Sequence, residues 1–199
     1  MAKIGLRNPY YTTVTLGVDT TTGEEIETIS ATPKRLAKAV QLQYSVNAPT
    51  VKLYADDGVA ESVTDFIDGS GTATVDELED TAAPDLYDLT VLSTSDDILD
   101  KDSDDTKYVR LGFIVKRIKG GVIAYRGIVL ARVQFMIPTE QFDTKGEQIV
   151  LNTTQLPFNF YRNVDGVWRK RSPWNADFDT VSTWLQNVLK QTDLTVNPT

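Results

Sequence analysis

Apolar and polar residues alternate with a period of two along much of this chain of 199 residues. The longest pattern covers 108–119 and 122–137, where the odd positions are almost all apolar. Successive side chains of a strand point to opposite faces, so this period predicts strands with one buried face. The two runs are joined by Gly120-Gly121, a dipeptide typical of a tight hairpin turn. The chain is therefore predicted to be mainly β, with antiparallel strands.

A second alternating segment, 40–47, has apolar residues at its even positions. These residues are predicted to face the core, while Gln41, Gln43, Ser45 and Asn47 face away. Segment 10–18 has the same period, with Tyr10, Thr12, Val14, Leu16 and Val18 on one face. Shorter strands are predicted at 25–30, 50–55, 61–66 and 72–75. The tripeptide Gly69-Ser70-Gly71 is predicted to form a turn before one of them. A further long strand, 147–161, is predicted to lead through a turn at Asp165-Gly166 into 167–171.

Two segments have helical spacing instead. In 76–89 the pattern is interrupted by Pro84, which should break the helix or begin its second part. In 177–191 apolar residues, Trp184 among them, recur as one stripe, and Asp177 or Asp179 can cap the start. The simplest division is one domain over 1–175, with an acidic surface loop at 93–106, followed by a C-terminal helical arm at 176–199.

Charge is distributed unevenly along the chain. Residues 1–105 carry 21 acids and 7 bases, a net charge of −14, and residues 106–199 carry 7 acids and 13 bases, a net charge of +6. The net charge of the whole chain is −8. This charge disfavours a nucleic-acid-binding protein, because such proteins bind phosphates through cationic side chains. Two interpretations stay open: copies of the chain meet head to tail through opposite charges, or folding interleaves the two parts.

The chain has no cysteine and no histidine. This composition excludes disulfides, thiol nucleophiles, imidazole metal ligands and the usual catalytic triad. Asp100, Asp102 and Asp104 have the first spacings of a calcium loop, but Asp105 stands where that loop needs glycine. No apolar run approaches the roughly 18 residues that span a bilayer. We expect no enzymatic activity, no cofactor, no metal and no membrane partner.

Five blocks of the sequence, spread over about 1–170, resemble the major tail proteins of long-tailed, non-contractile bacteriophages. They are, in the same order as in that family, MAKIGLRNPYY (1–11), TPKRLAKA (32–39), KLYADDGVAE (52–61), VRLGFI (109–114) and QFDTKGE (141–147). The resemblance implies a tail-tube fold, an antiparallel β-sandwich with one short flanking helix and a C-terminal helix. It also implies hexameric rings that stack into a hollow tube, which encloses a tape-measure protein and later conducts the viral DNA.

The same resemblance implies the partners and location of the chain: a tail terminator, distal tail or baseplate proteins, and a virion tail assembled in the host bacterial cytoplasm. The viral DNA should pass through the tube without specific binding. The inner wall of the tube is therefore expected to be uncharged, because cations would bind the phosphates. Gln41, Gln43, Ser45 and Asn47 are the candidates for that wall, and an ordinary solvated face is the alternative. The candidates for contacts between subunits are Asp100, Asp102, Asp104, Arg110, Lys116, Arg126, Arg132 and Trp184.

Rival functions stay open at this point. A tube protein of a contractile tail or of a secretion system would have the same expected fold. A carbohydrate-binding β-sandwich would use Trp168 and Trp174 as a stacking platform. An enzyme that depends on divalent cations is the weakest alternative, since no pattern selects a pair among the 28 acids.

Overall fold

The computed structural model describes residues 2–55, 58–79, 81–102, 104–139 and 153–196, with backbone only for 2–4, 51, 53–55 and 58–61. The fold is mainly β and antiparallel, as predicted. The strands within these residues are β1 (Ala2–Val18), β2 (Glu25–Ile29), β3 (Lys34–Arg35), β4 (Ala39–Asn47), β5 (Thr50–Ala55), β6 (Gly58–Thr64), β7 (Asp68–Val75), β8 (Thr90–Val91), β9 (Ile98–Leu99), β10 (Tyr108–Lys119), β11 (Val122–Phe135), β12 (Thr154–Tyr161) and β13 (Arg169–Arg171). The helices are α1 (Ala83–Tyr87) and α2 (Phe178–Lys190).

One large sheet organises the described chain, with the strand order β2-β1-β10-β11-β12-β7-β4. Strand β3 pairs with β1 and β13 with β11, while β5–β6 and β8–β9 form two small separate sheets. Strand β1 also contacts β4, although four strands separate them in the order. The sheet therefore folds over on itself, which brings its two ends face to face as the layers of a β-sandwich.

The predicted central hairpin is confirmed. Strands β10 and β11 pair from Tyr108 with Gln134 to Lys119 with Val122. The turn between them needs positive φ at both central residues, and Gly120 and Gly121 have φ of 58° and 79°. This long hairpin forms the middle of the sheet and carries most of the charged residues discussed below.

The main core lies between the two layers. Several of its aromatic rings meet edge-to-face or at tilted angles, with ring centroids 5.6 Å apart for Phe158 and Phe135 and for Tyr44 and Phe160, while Phe66 and Trp168 stack. Helix α1 closes one side of this core with the buried residues Leu86 and Tyr87. Pro84 lies in the first turn of α1, so it begins this short helix. The other described residues of the predicted segment, 76–79, 81–82 and 88–89, are not helical.

A second core forms where α2 covers the opposite face of β10 and β11. The apolar stripe of α2 buries Val181, Leu185, Val188 and Leu189 there. Two strand glycines allow the close approach: a Cβ on Gly112 would lie 2.7 Å from Leu185 Cδ1, and one on Gly127 would lie 2.6 Å from Trp184 Cε3. Asp177 caps α2, as one of the two predicted candidates, by accepting from the N–H groups of Asp179 and Thr180.

Three local predictions are wrong. Residues 69–71 lie inside strand β7 and form no turn. The two glycines serve packing, because a Cβ on Gly69 would lie 2.0 Å from Phe160 Cζ and one on Gly71 2.5 Å from Phe158 Cζ. The segment 93–106 is not loop throughout, since β9 pairs with β8. Val40 and Val46, predicted to face the core, are 59% and 41% exposed at the ends of β4.

Two sequence features fall partly outside the described residues. The predicted strand 147–161 is described from residue 153, where β12 soon begins. The block 141–147 and residues 56–57 of the block 52–61 lie outside the description.

Candidate assembly surfaces

The outer face of β4, β7 and β12 is built mainly from uncharged polar residues, with Pro157 within it and the carboxylate of Asp68 at one end. Directly paired residues of antiparallel strands point to the same side of a sheet. Gln43 and Ser45 of β4 are the partners of Thr72 and Ser70 of β7. Ser70 is in turn the partner of Asn159 on β12, and Asn159 is the partner of Gln134 on β11. The resulting surface, which we call the neutral face, consists of Gln41, Gln43, Ser45, Ser70, Thr72, Thr74, Gln134, Gln155 and Asn159.

The four candidates for the wall of the bore lie along one strand of this region. Gln41, Gln43, Ser45 and Asn47 are all exposed, while Leu42 and Tyr44 between them are half-buried. The neutral face ends at Asn47, whose Nδ2 donates to Asp68 Oδ1 at 2.9 Å. Only the β4 row was predictable from the sequence, because the pairings that add β7 and β12 are long-range.

Strand β4 also has an open edge. Within the described residues, its only strand partner is β7. Natural proteins blunt such edges with charged side chains, proline or bulges, but β4 has no charge and no proline, and its register irregularity is confined to 39–41. An edge of this kind is available for pairing with another strand.

The opposite half of the sheet buries charge beneath α2. The side chains of Arg110 and Glu27 are both 0% exposed, with Arg110 Nη2 3.8 Å from Glu27 Oε2. Arg132 binds the same carboxylate, since its Nε donates to Glu27 Oε1 at 2.8 Å, and its Nη2 reaches Glu25 at 2.9 Å. Burial lowers the pKa of Arg110 to about 10, which Glu27 partly opposes, so the guanidinium is charged at neutral pH.

Arg110 also holds the carboxyl end of α2. Its Nη1 donates to the carbonyl oxygens of Val188 and Gln191. The hydroxyl of Thr12 on β1 donates to Leu189 O at 3.0 Å. The last carbonyls of a helix lack partners inside the helix, so these side chains of the sheet complete its C-terminus.

The expectation that Arg110 meets an acid of another subunit is therefore wrong. Strand parity placed Arg110 on the polar face of the hairpin, but that face is covered by α2, and Arg110 sits at a register shift between Val109 and Leu111. Arg132 is already paired with two acids of its own chain. Sequence reasoning missed both pairings because Glu27 is far away along the chain.

The other candidates for subunit contacts are distributed differently. Trp184 is half-buried over Gly127, and Lys116 is half-buried on β10. Asp100 and Asp102 are exposed, while Asp104 is half-buried and accepts from Lys101 N at 2.7 Å. Arg126 lies over the ring of Trp174, with Cζ 4.6 Å from its centroid. In the part of the chain that is described, no group of carboxylates could hold a metal ion.

The tryptophans do not form a common platform. Trp168 stacks on Phe66 in the main core, with centroids 5.1 Å apart and rings 4° from parallel. Trp174 has the guanidinium groups of Arg117 and Arg126 on its ring, at 4.0 and 4.6 Å. The ring faces that a sugar would need are thus used for contacts within the chain.

The comparisons with known proteins leave the family open. No protein-family model matches the chain, and no curated protein matches it either. Of the two helices in the described residues, neither is long and apolar enough to cross a membrane.

Proposed function

We propose that this protein is the tube subunit of a phage tail, which forms hexameric rings that stack into the conduit for the genome. The observation that carries the proposal is the neutral face, a wide part of the sheet with polar side chains and no charge. The resemblance of the five sequence blocks and the antiparallel β-sandwich support the same function. The partners are other copies of the chain, the tape-measure protein, the tail terminator and the distal tail or baseplate proteins.

The neutral face is suited to a wall along which DNA slides. Each cation that contacts a phosphate adds salt-dependent affinity and would retard the strand. Hydroxyl and amide side chains keep the wall hydrated without adding such contacts. If β4 pairs with a strand of the neighbouring subunit, its open edge is satisfied and the neutral faces join around the ring.

A tube of a contractile tail or of a secretion system would use the same sheet, and it is the second candidate. The presence of a sheath protein around the tube distinguishes it from the main proposal. The carbohydrate-binding alternative is disfavoured, because Trp168 stacks in the core and Trp174 is covered by arginines.

Negative-stain electron microscopy of the concentrated purified protein tests the proposal. We expect rings or tubes with a central bore, formed without any added metal or cofactor. Co-expression with the tape-measure and distal tail proteins covers the case in which assembly needs an initiator. Protein that stays monomeric at millimolar concentration and also in phage-producing cells would contradict the tube function.

A further inference from the structure

The neutral face contains a groove that follows β7. The outward side chains of Ser70 and Thr72 on β7 are short. They lie between the longer side chains of Gln43 on β4 and of Met136, which directly follows β11. The groove has a volume of about 470 Å³, and these four residues are among those that line it. The short side chains thus form its floor and the long ones its two walls.

One wall of the groove is apolar. Met136 lies two residues beyond Gln134 and on the same face, and its N–H donates to Pro157 O at 2.8 Å. Pro157 is the partner of Thr72, and Thr72 is the partner of Gln43. These residues form one row from the end of β11 to β4. The side chain of Met136 is 42% exposed, so it is accessible to another molecule.

The groove is also without charge. None of the described residues that line it is charged. The carboxylate of Asp68 lies at the end of the face, where it accepts from Asn47. Nucleic acids gain their affinity from cations on phosphates, and this lining provides none. An uncharged polypeptide surface fits it better, because hydroxyls and amides form hydrogen bonds with it and Met136 packs against its apolar side chains.

The width of the groove matches one α-helix. From β4 through β7 and β12 to β11 there are three strand spacings, which is about 14 Å at about 4.8 Å each. An α-helix with its side chains is about 10–12 Å across. Amphipathic helices lay their apolar face into grooves of this kind. Methionine suits such a contact, because its unbranched side chain adapts to different apolar partners.

We propose that the groove along β7 docks an α-helix through an uncharged, apolar helix face, with Met136 and Pro157 as its main contacts. This inference rests on the proposed function, in which the tape-measure protein occupies the bore, and it identifies the part of the wall that this protein touches. Each contact is small, so the helix is held by repetition of the contact along the tube. Because the contact contains no ion pair, it leaves no cations on the wall when DNA follows.

A test on the purified chain uses its two methionines, Met1 and Met136, as probes. Each labelled methyl group gives one NMR signal, and Met136→Leu assigns the signals by removing one of them. The ligand is a synthetic helical peptide of about 20 residues, with leucines on one face and glutamines on the other. A short DNA duplex is the comparison. We expect the Met136 signal to shift with the peptide and to stay in place with the DNA.

Variants measure the contribution of the apolar wall. With a fluorescent form of the same peptide, Met136→Gln should weaken binding at least fivefold, while Met136→Leu should bind like the natural chain. Ile137→Gln is the matched control, since Ile137 is the next residue, is 76% exposed and is not among the residues that line the groove. It should leave binding unchanged. Unfolding curves confirm that each variant is folded.

These results are independent of tube formation. A Met136 signal that does not move at millimolar peptide, or that moves equally with DNA, overturns the inference even if the chain forms tubes. Peptide binding that depends on Met136, by a chain that forms neither rings nor tubes, supports the groove while the tube function fails.

Photo-crosslinking in tails tests the identity of the helix. The crosslinking amino acid p-benzoylphenylalanine is introduced in place of Met136 in phage-producing cells, and in place of Thr183, exposed on α2, as the control. In tails of normal length that have not yet joined a DNA-filled head, position 136 should give an adduct with the tape-measure protein, and position 183 should give none. Adducts of position 136 with the tube subunit alone, or no adduct, would overturn the assignment of the groove to that protein.

Discussion

The two halves of the folded sheet handle polar residues in opposite ways. Where α2 covers β1, β10 and β11, charged groups are buried and paired, as with Arg110 and Glu27. On β4, β7 and β12, which neither helix of the described residues covers, the outward residues are mostly uncharged, as with Gln43 and Thr72, and Asp68 lies at the end of the face. Most of the charge thus lies where a partner in the same chain can neutralise it, and Gln43 and Thr72 belong to a region that is largely without charge.

The difference distinguishes residues that hold the subunit together from residues that are free to contact other molecules. The buried arginine holds the end of α2 through the carbonyl oxygens of Val188 and Gln191, so its role is completed inside the subunit. Among the described residues, no helix holds the neutral face in a comparable way, and its polar composition is what the proposed tube function explains. Variants that remove a buried charge should therefore have their largest effects on the helix-covered half.

The largest effect is expected from Arg110→Met. Removing one partner of a buried ion pair leaves the other charge without full compensation and typically costs about 3–5 kcal/mol. The carbonyls at the end of α2 lose their donor as well. Urea unfolding measures the loss. Lys34→Ala is the control, since Lys34 pairs with Asp85 at a half-exposed position and such pairs contribute about 0–1 kcal/mol.

A loss below about 1 kcal/mol for Arg110→Met would contradict this description of the helix-covered half. It would mean that Arg132 alone neutralises Glu27 and that α2 holds its position through apolar packing.

Alanine at a strand glycine tests the packing of each half. Gly69→Ala places a Cβ 2.0 Å from the buried ring of Phe160, and Gly127→Ala places one 2.6 Å from Trp184. Overpacking of this kind costs about 1–3 kcal/mol, with the larger loss at Gly69 because Phe160 is fully buried. Gly17→Ala is the control, since its Cβ would lie 3.5 Å from Ile26 in ordinary contact. Thermal unfolding of the three variants ranks them, and equal melting temperatures would contradict the prediction.

The elements that local pattern determines could be predicted from the sequence. The β10–β11 hairpin follows from period two and a Gly-Gly turn, and α2 follows from its apolar stripe and the cap at Asp177. These features depend on neighbours within a few residues. The neutral row on β4 was found for the same reason.

What depends on long-range pairing could not be predicted. The burial of Arg110 requires a register shift in the hairpin and a helix that begins 68 residues later in the chain. The local sequence predicts a turn at Gly69 and Gly71, because the aromatic rings that fill the space above these glycines belong to the distant strand β12.

A smaller effect is expected at the exposed start of α2. Hydrogen bonds from Thr180 and from the N–H of Asp179 hold the pKa of Asp177 below its ordinary value of 3.8. A lowered pKa in the folded state means that the cap stabilises the fold at pH values above 3.8 and that this contribution is lost as pH falls through the folded pKa. Asp177→Ala should therefore be less stable than the natural chain near neutral pH, and the difference should shrink in acid.

Asp177→Asn is the matched control for this pH dependence. Asparagine still caps the helix, but its side chain does not titrate, so its advantage over alanine should persist in acid. Unfolding free energies measured between neutral pH and pH 2 give the comparison. If the free energies of unfolding of the natural chain and of Asp177→Ala differ by the same amount across this pH range, Asp177 does not act through its charged form.

The smallest change in stability is expected on the neutral face, where the functional change should be the largest. Gln41→Lys/Gln43→Lys alters two exposed side chains, so the free energy of unfolding should move by no more than about 0.5 kcal/mol. If β4 lines the bore, tails should form at normal length while genome delivery slows or stalls, because the lysines contact phosphates.

Gln41→Glu/Gln43→Glu is the matched control, with the same positions and similar bulk but the opposite charge, and it should deliver DNA normally. Complementation of a phage that lacks its own tube protein measures tail length and infectivity together. Normal infectivity of the lysine variant would remove the neutral face from the bore, and short or absent tails in both variants would place it in a contact between subunits instead.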